Sequence, residues 1–271
     1  MDDIVFSVVK SASRALQIVD MLTAAERSMT SSEIAIELSI PRSSLHALLL
    51  SLIGAGWLEH DRDAHTYRLG IRALEAGSAY SRSLTVLDRI RLVAEALRDE
   101  LHETVQVSVL EGRYNVYIAR YDGGQLLSLI SEIGRRIPAH ATGLGKMLLS
   151  DLSDAEFDRL FDNVRLERFT ASTIGNRVKL AAHLAEIRGN GYSLDLEERT
   201  RGVHCIAVPL RDATQRIFAA ISVSAPGFRF GPEEKARTLT LLLSASRELS
   251  RTFGARLSLG RLQVSPRKKS G

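Results

Sequence analysis

Residues 30–52 constrain the fold more than any other part of the chain, because they predict two short helices joined by a tight turn. Thr30 and Glu33 have the spacing of a capping box, in which each side chain satisfies the other's free backbone N–H. The second helix starts at Pro41, which a first helical turn tolerates because the missing N–H is not needed there. A further helix over residues 13–25 precedes the pair. Its expected inward face contains Leu16, Val19 and Leu22.

The two helices also carry the spacing of a helix-turn-helix. Ala35 is the small residue required where the helices touch, and Ser39 occupies a turn position that prefers glycine. Leu45 and Leu48 are apolar anchors on the second helix. A plain helical hairpin in a bundle would share this spacing. Two short strands with a polar tip follow directly, in residues 57–69, so the pattern predicts a winged helix-turn-helix.

A winged helix-turn-helix places the N-terminal half of its second helix in the major groove of DNA. Arg42 can donate to a guanine edge or a phosphate, and serine can contact either. On the wing, Arg62 and Arg68 are expected near backbone phosphates. The predicted exposed positions of the helix are Arg42, Ser43, Ser44, His46 and Ala47.

The overall charge adds little to this prediction. The chain has a net charge of +4 and a pI of about 9.4. Residues 256–271 alone carry five basic residues and no acid, and we expect them to be an unstructured tail. Residues 1–70 hold six Lys and Arg against nine Asp and Glu. The case for DNA binding therefore depends on motif geometry and not on charge.

The length of 271 residues suggests two domains. The single cysteine excludes an internal disulfide and a multi-cysteine zinc module. No apolar run approaches the roughly 20 residues of a membrane span, and the first residues do not resemble a signal peptide. We therefore expect a reduced, cytoplasmic protein that needs no membrane, cofactor or metal.

Beyond a helix predicted over residues 70–83, the pattern mixes strands and helices. Strands joined by hairpins, with helices before, between and after them, predict an α+β domain with a mostly antiparallel sheet over residues 84–255. The predicted strands are 104–110, 115–120, 126–130, 204–210 and 217–224, and the predicted helices are 87–101, 143–152, 154–161, 177–190 and 232–253.

The segment around Gly143, Gly145 and Lys146 can be mistaken for a phosphate-binding loop. That motif requires glycine and Ser or Thr at the positions that His140 and Met147 occupy here, so nucleotide binding is rejected. A glycine-containing turn at a helix start still offers free N–H groups to an anion. In isolation, a packing loop without a ligand is the more common explanation.

Polar residues also mark the strands near the end of this domain. Asp195 could anchor a ligand hydroxyl or a water, although a solvated loop acid is the commoner case. Cys205 shares a strand face with Ala207 and is more often a core residue than a reactive one. Ser222 and Ser224 share a face of an otherwise apolar strand, which suggests a polar pocket floor.

Catalytic patterns are weak. Cys205 and His204 are adjacent on a strand and point to opposite faces, so they do not form a dyad. The sequence contains no G-x-S-x-G elbow and no H-E-x-x-H helix, and its seven histidines show no pair at ligand spacing.

Together these segments resemble the IclR family of bacterial transcriptional regulators over residues 11–255. The motifs that carry the resemblance, in order, are SRALQIVDML, SEIAIELSIPRSSLHALLLSL, YRLG, IPAHATGLGKMLLS, TASTI, GYSLDLEERTRGVHCIAVPL and AAISVSAP. The resemblance implies a winged helix-turn-helix in residues 1–69, a linker helix in 70–83 and an effector-binding domain of GAF-like topology in 84–255. It also implies a homodimer, often paired into tetramers, that binds double-stranded operator DNA.

In this family a small organic acid or aromatic metabolite binds the C-terminal domain and alters operator binding. By resemblance, backbone N–H groups of Gly143 and Leu144 meet the effector's carboxylate. The implied polar positions are Asp195, Cys205, Ser222 and Ser224, and the implied apolar wall is Leu126, Leu129, Ile137 and Val203. Repression of catabolic genes is the expected role, although some relatives activate genes.

Two features depart from the family pattern. Where relatives usually carry arginine in the recognition helix, this chain has Ala47 and Leu50, and its N-terminal domain is net acidic. We therefore expect weaker or more dimer-dependent DNA binding. Two alternatives stay open: a dimeric regulator that has lost ligand sensing, and, less favoured, a small-molecule hydrolase on the GAF-like domain.

Overall fold

The computed structural model describes residues 9–83, 85–123 and 132–254. The chain divides into two compact units, Met1–Leu84 and Thr85–Gly271.

The first unit combines four helices with a small antiparallel sheet among its described residues. Its sheet has the strand order β1-β3-β2, so β2 and β3 form the hairpin that the sequence predicts. The elements are α1 (Lys10–Ala25), β1 (Met29–Thr30), α2 (Ser31–Glu37), α3 (Arg42–Gly54), β2 (Leu58–Asp61), β3 (Thr66–Leu69) and α4 (Ile71–Ser83).

The helix-turn-helix is confirmed in detail. The Thr30 hydroxyl accepts from the Glu33 backbone N–H at 3.3 Å, and the Glu33 carboxylate accepts from the Thr30 N–H at 2.7 Å. Ser39 has a φ of +50°, the left-handed conformation that explains why glycine is preferred at this turn. The chain bends by 117° between α2 and α3, within the range of about 90–120° typical of the motif.

Two local predictions in this unit are wrong. Leu16 is 65% exposed, and the buried side of α1 instead contains Ile18 and Leu22. Successive helical residues are about 100° apart, so Leu16 lies far around the helix from Ile18. Helix α3 begins at Arg42, one residue later than predicted, with Pro41 as its N-cap.

Among the described residues, no single helix is long and apolar enough to cross a membrane. Only α2 and α3 taken together meet the length and composition of a span, and the sharp bend lies between them.

The second unit contains a six-stranded antiparallel sheet in the order β6-β5-β4-β9-β8-β7. Its α+β class agrees with the prediction. The elements are α5 (Thr85–Leu101), β4 (Thr104–Glu111), β5 (Tyr114–Tyr121), β6 (Arg136–Pro138), α6 (Gly143–Leu149), α7 (Asp154–Phe161), α8 (Arg177–Asn190), β7 (Ser193–Leu196), β8 (Val203–Arg211), β9 (Ile217–Pro226) and α9 (Pro232–Thr252).

The sheet is covered on both faces. On one face, Val105, Ile206 and Val223 pack with apolar residues of α5 and α9. On the other face, Ala207 and Ala220 pack with residues of α6, α7 and α8. Because strand side chains alternate between faces, the polar residues next to these positions are directed toward α6.

Differences from the predicted elements are concentrated in short segments. Strands β6 and β7, of three and four residues, are not predicted. Helix α6 ends at Leu149 and not at Leu152. The strand predicted over 126–130 lies outside the described residues, as do Leu84 and the whole of the expected C-terminal tail, 256–271.

Candidate ligand cavity and nucleic-acid interface

The α6 face of the sheet contains a row of polar side chains from four neighbouring strands. Asp195 on β7 lies opposite Cys205 on β8, which lies opposite Ser224 on β9, which in turn lies opposite Thr104 on β4. A cavity of about 50 Å³ lies against this row. Its described lining is Gln106, Tyr117, Ile137, Thr142, Gly143, Leu144, Asp195, Arg199, Thr200, Val203, Cys205 and Ser224.

The start of α6 closes one side of this cavity. Thr142 caps the helix by accepting from the Gly145 N–H at 2.9 Å, and its own hydroxyl donates to Asn115 Oδ1 at 2.9 Å. The first N–H groups of a helix have no partner within it, which leaves those of Gly143 and Leu144 beside the cavity. A Cβ atom on Gly143 would lie 3.2 Å from Cys205 Sγ, so glycine allows this close approach.

Asp195 is a buried strand residue and not the solvated loop acid that the sequence most commonly suggests. It is only 6% exposed, and its Oδ1 accepts from the Glu198 backbone N–H at 2.7 Å. Burial raises the pKa of Asp195 to about 7, partly opposed by that hydrogen bond. At neutral pH this group can therefore either donate or accept a hydrogen bond toward the cavity.

Cys205 has none of the features of a nucleophile. Burial raises the pKa of its thiol to about 12, so the reactive thiolate is absent at neutral pH. His204 precedes Cys205 on the strand and belongs to the opposite face. Among the residues that the structure describes, no group of three or more His, Cys, Asp or Glu side chains could hold a metal ion.

The two predicted serines have different places. The Ser224 hydroxyl lines the cavity and donates to Gln106 Oε1 at 2.9 Å. Ser222 lies two residues earlier on β9, where its strand neighbours are Ala207 and Gln106. It is completely buried and is not part of the described lining.

A charged pair is buried next to this polar row. Lys146 of α6 is fully buried, and its ammonium group pairs with the Glu198 carboxylate. The Nε2 atom of His183 lies 3.5 Å from the same ammonium. Neither Lys146 nor Glu198 belongs to the described cavity lining, but the pair joins α6 to the segment that carries the lining residues Arg199 and Thr200.

The structure brings together seven of the ten positions predicted for the effector site: Gly143, Leu144, Asp195, Cys205, Ser224, Ile137 and Val203. Leu126 and Leu129 lie outside the described residues. Sequence reasoning missed Gln106, Tyr117, Thr142, Arg199 and Thr200. The sequence does contain a pattern that indicates Gln106. It is a polar residue between Val105 and Val107 on a strand, just as Ser222 lies between two apolar residues.

The exposed face of α3 contains all five residues predicted to meet DNA. Leu45 and Leu49 anchor the helix in the core, with 2% exposure each. The intervening positions are therefore directed to solvent. The exposed positions are Arg42, Ser43, Ser44, His46 and Ala47.

The two predicted wing arginines differ in their surroundings. Arg62 is exposed and has no ion pair among the described residues. Arg68 is also exposed, but its guanidinium lies 2.7 Å from Glu59 on the neighbouring strand. Lys10 and Arg14 of α1 border a depression shared with Ser44 and Ala47 of α3.

Two family profiles match the chain. Residues 11–62 match the profile of the IclR helix-turn-helix domain, and residues 78–251 match that of the bacterial transcriptional regulator IclR C-terminal domain. The chain is 33% identical to the HTH-type transcriptional regulator XynR of Escherichia coli, over 91% of this chain and 98% of XynR. It is 28% identical to the Transcriptional repressor IclR of the same organism, over 91% of this chain and 90% of the repressor.

A solved structure has the same fold. The IclR homologue from Microbacterium hydrocarbonoxydans, crystallised with 4-hydroxybenzoate, superposes with a TM-score of 0.75 at 23% identity, over 90% of this chain and 99% of that one. The matched relatives are regulators and not enzymes, which overturns the hydrolase alternative. The chain belongs to the IclR family of DNA-binding transcriptional regulators.

Proposed function

We propose that a small organic acid binds the cavity against α6 and changes the affinity of the protein for its operator. The observation that carries this proposal is the polar row of Asp195, Cys205 and Ser224 along a cavity beside α6. Buried polar groups normally have hydrogen-bond partners inside the protein, so a polar cavity floor favours a polar occupant. The homologue crystallised with 4-hydroxybenzoate supports an acid as that occupant.

In the proposed complex the backbone N–H groups of Gly143 and Leu144 donate to the acid. Asp195 and Ser224 orient its other polar atoms, and Cys205 contributes a small neutral surface. Ile137 and Val203 form the described apolar wall. We assign Ser222 to a supporting position next to the lining. We also assign Leu126 and Leu129 to the apolar wall.

The cavity volume favours a compact acid. Its volume of about 50 Å³ is small beside the roughly 300–1,000 Å³ of pockets that bind drug-sized ligands. Short oxo or hydroxy acids therefore fit better than large aromatic acids without a rearrangement. This size and the polar floor support a short organic acid as the effector.

For DNA we propose that α3 enters the major groove and the wing contacts phosphates. Arg42, Ser43, Ser44, His46 and Ala47 then face bases and backbone, and Arg62 and Arg68 face the backbone. We assign residues 1–69 to DNA binding, 70–83 to a linker helix and 84–255 to effector binding. A homodimer would present two recognition helices to a two-fold operator.

Regulation in this proposal is a population shift. The effector must prefer one arrangement of the DNA-binding domains, since equal affinity for both would change nothing. The linker helix transmits that preference. Repression of catabolic genes is the proposed output.

The test is a thermal-shift screen of the full chain against short organic acids, followed by operator titrations with the best ligand. A ligand at 100 times its Kd stabilises the folded protein by about 2.7 kcal/mol. Ser224→Ala should weaken the shift, whereas Ser172→Ala, an exposed serine of the same unit, should not.

The titrations separate this proposal from a ligand-independent regulator. A ligand that shifts melting and changes operator affinity supports the proposal. Operator binding that stays the same with every acid, including those that stabilise the protein, would favour the ligand-independent alternative.

A further inference from the structure

Arg199 is a cation on the cavity wall whose hydrogen-bond donors are unused. Within the described part of the chain, its guanidinium forms no hydrogen bond and no ion pair, and its Nε is shielded from solvent. Burial lowers the pKa of Arg199, with Glu167 partly opposing that effect. Because no acceptor among the described residues bonds to these N–H groups, an occupant of the cavity can supply one.

The backbone beneath Arg199 is held in place by threonine hydroxyls. Thr170 Oγ1 donates to the Glu197 carbonyl at 2.6 Å, and Thr173 Oγ1 donates to the Glu198 carbonyl at 2.6 Å. Asp195 accepts from the Glu198 N–H, and Glu198 pairs with buried Lys146. The backbone that precedes Arg199 is therefore held in place by several contacts. A residue that recognises a ligand needs such support.

The side chain of Arg199 is held by an aromatic ring. Its Cζ lies 3.9 Å from the centroid of the Phe169 ring. Stacking uses the flat face of a guanidinium and leaves the N–H groups at its edge available for a carboxylate. Phe169 thus orients Arg199 without occupying its donors.

Apart from Asp195, the other ionisable groups of the cavity are uncharged at neutral pH. Burial raises the pKa of the Tyr117 phenol and of the Cys205 thiol, so both are neutral. Asp195, with a pKa of about 7, is only partly ionised. Arg199 is the fully charged group of the described lining, and the cavity is suited to an anion.

We propose that Arg199 is the specificity-determining residue that makes the cavity select carboxylates over the corresponding uncharged amides. This inference rests on the proposed function, because it assumes an effector in this cavity. The new element is that Arg199 is the source of the preference for a charged ligand over an uncharged one. Backbone N–H groups donate to an amide carbonyl as well as to a carboxylate, whereas a guanidinium gains most from the charged, bidentate partner.

The experiment measures binding of matched pairs to the full chain by titration calorimetry: pyruvate with pyruvamide, lactate with lactamide, and 4-hydroxybenzoate with 4-hydroxybenzamide. The variants are Arg199→Met, which keeps the apolar stem, and Arg199→Lys, which keeps the charge. Arg201→Met is the matched control, since Arg201 is exposed in the same loop and is not in the described lining.

We expect the native protein to bind at least one acid far more tightly than its amide. Arg199→Met should weaken binding of that acid by about 10–100-fold, the effect of one charged hydrogen-bonded contact, and leave the amide nearly unchanged. Arg199→Lys should retain part of the preference, and Arg201→Met all of it. Thermal melting without ligand checks folding, and Arg199→Gln is a second neutral replacement.

Two results would overturn the inference in distinguishable ways. If Arg199→Met keeps the native preference for the acid while Ser224→Ala loses binding, the cavity binds an effector and the role of Arg199 is wrong. If the native protein binds none of the acids, both the proposed effector class and the role of Arg199 are wrong.

Discussion

Lys146 and Glu198 form an ion pair that is almost completely removed from solvent, with side-chain exposures of 0% and 10%. Lys146 lies in α6 and Glu198 in the loop that follows β7, so the pair joins two segments that border the cavity. The second carboxylate oxygen of Glu198 is buried and has no hydrogen-bond partner among the described residues. The loop is thus joined to α6 by a buried ion pair, in which each charge is compensated by the other.

Removing one member of this pair should destabilise the protein strongly. Lys146→Met leaves the Glu198 carboxylate buried without its cation, and loss of one member of a buried pair costs about 3–5 kcal/mol. The double variant Lys146→Met with Glu198→Gln should cost less than the two single changes added together. Urea denaturation followed by circular dichroism measures all four proteins.

The exposed pair Arg237–Glu100 is the control, with side-chain exposures of 59% and 57%. Arg237→Met should cost no more than about 1 kcal/mol, because solvent screens exposed pairs. Equal costs for Lys146→Met and Arg237→Met would contradict the argument that burial makes the first pair matter.

The N-terminal unit was predictable because its signals are local. A capping box, a proline at a helix start and a hairpin tip each act within a few residues. The prediction failed at Leu16, where two apolar faces of one helix compete and only tertiary packing decides between them. The misplaced start of α3 reflects the ordinary uncertainty of helix ends.

The cavity was only partly predictable, because its residues meet through strand pairing. Alternation placed Ser224 and Cys205 on faces of their own strands, yet Ser224 bonds to Gln106, a residue 118 positions earlier. Arg199 and Thr200 lie in a loop without periodicity, so no pattern distinguished them from solvated charges. The ring of Phe169 and the threonine hydroxyls that position Arg199 come from a distant segment.

The capping box at α2 supports a second prediction. Thr30→Ala removes the oxygen that accepts from the Glu33 N–H and should destabilise the first unit by about 1 kcal/mol. Thr23→Ala is the control, because Thr23 is exposed inside α1 and its hydroxyl only donates back to the Val19 carbonyl. Denaturation followed by the fluorescence of Trp57, which lies in this unit, measures both. A Thr30→Ala change no larger than that of Thr23→Ala would contradict the prediction.

Asp195 should make stability depend on pH. Its pKa is about 7 in the folded chain against 3.8 for an ordinary aspartate, mainly because of burial. Between these values the folded protein holds a proton that the unfolded chain has lost, so stability falls as pH rises from about 4 to about 7, by up to about 1.4 kcal/mol per unit. Above pH 7 the penalty no longer grows.

Asp195→Asn removes this titration. The difference in the free energy of unfolding between the variant and the native protein should increase from pH 5 to pH 7 and level off above pH 8. Urea denaturation across that range measures the difference, and Asp162→Asn, at an exposed aspartate, is the control. Parallel curves for the native protein and Asp195→Asn would show that Asp195 is ionised throughout.

The wing supports a prediction about DNA. Glu59 accepts from both Nε and Nη2 of Arg68, at 2.9 and 2.7 Å, and so competes with phosphate for this arginine. Glu59→Gln removes a negative charge and frees Arg68. Affinity for the operator should increase several-fold at low salt, and the slope of log K against log salt should steepen by about 0.9 for each added phosphate contact.

Fluorescence anisotropy with an operator recovered by in vitro selection measures this slope over a salt series. Arg62→Ala should reduce the slope by about 0.9, whereas Arg68→Ala in the native background should change it less, because Arg68 is already paired. Glu37→Gln makes the same charge change on α2, away from the wing, and controls for net charge. If Glu59→Gln and Arg68→Ala both weaken binding, Glu59 instead orients Arg68 toward the DNA, and the competition argument is wrong.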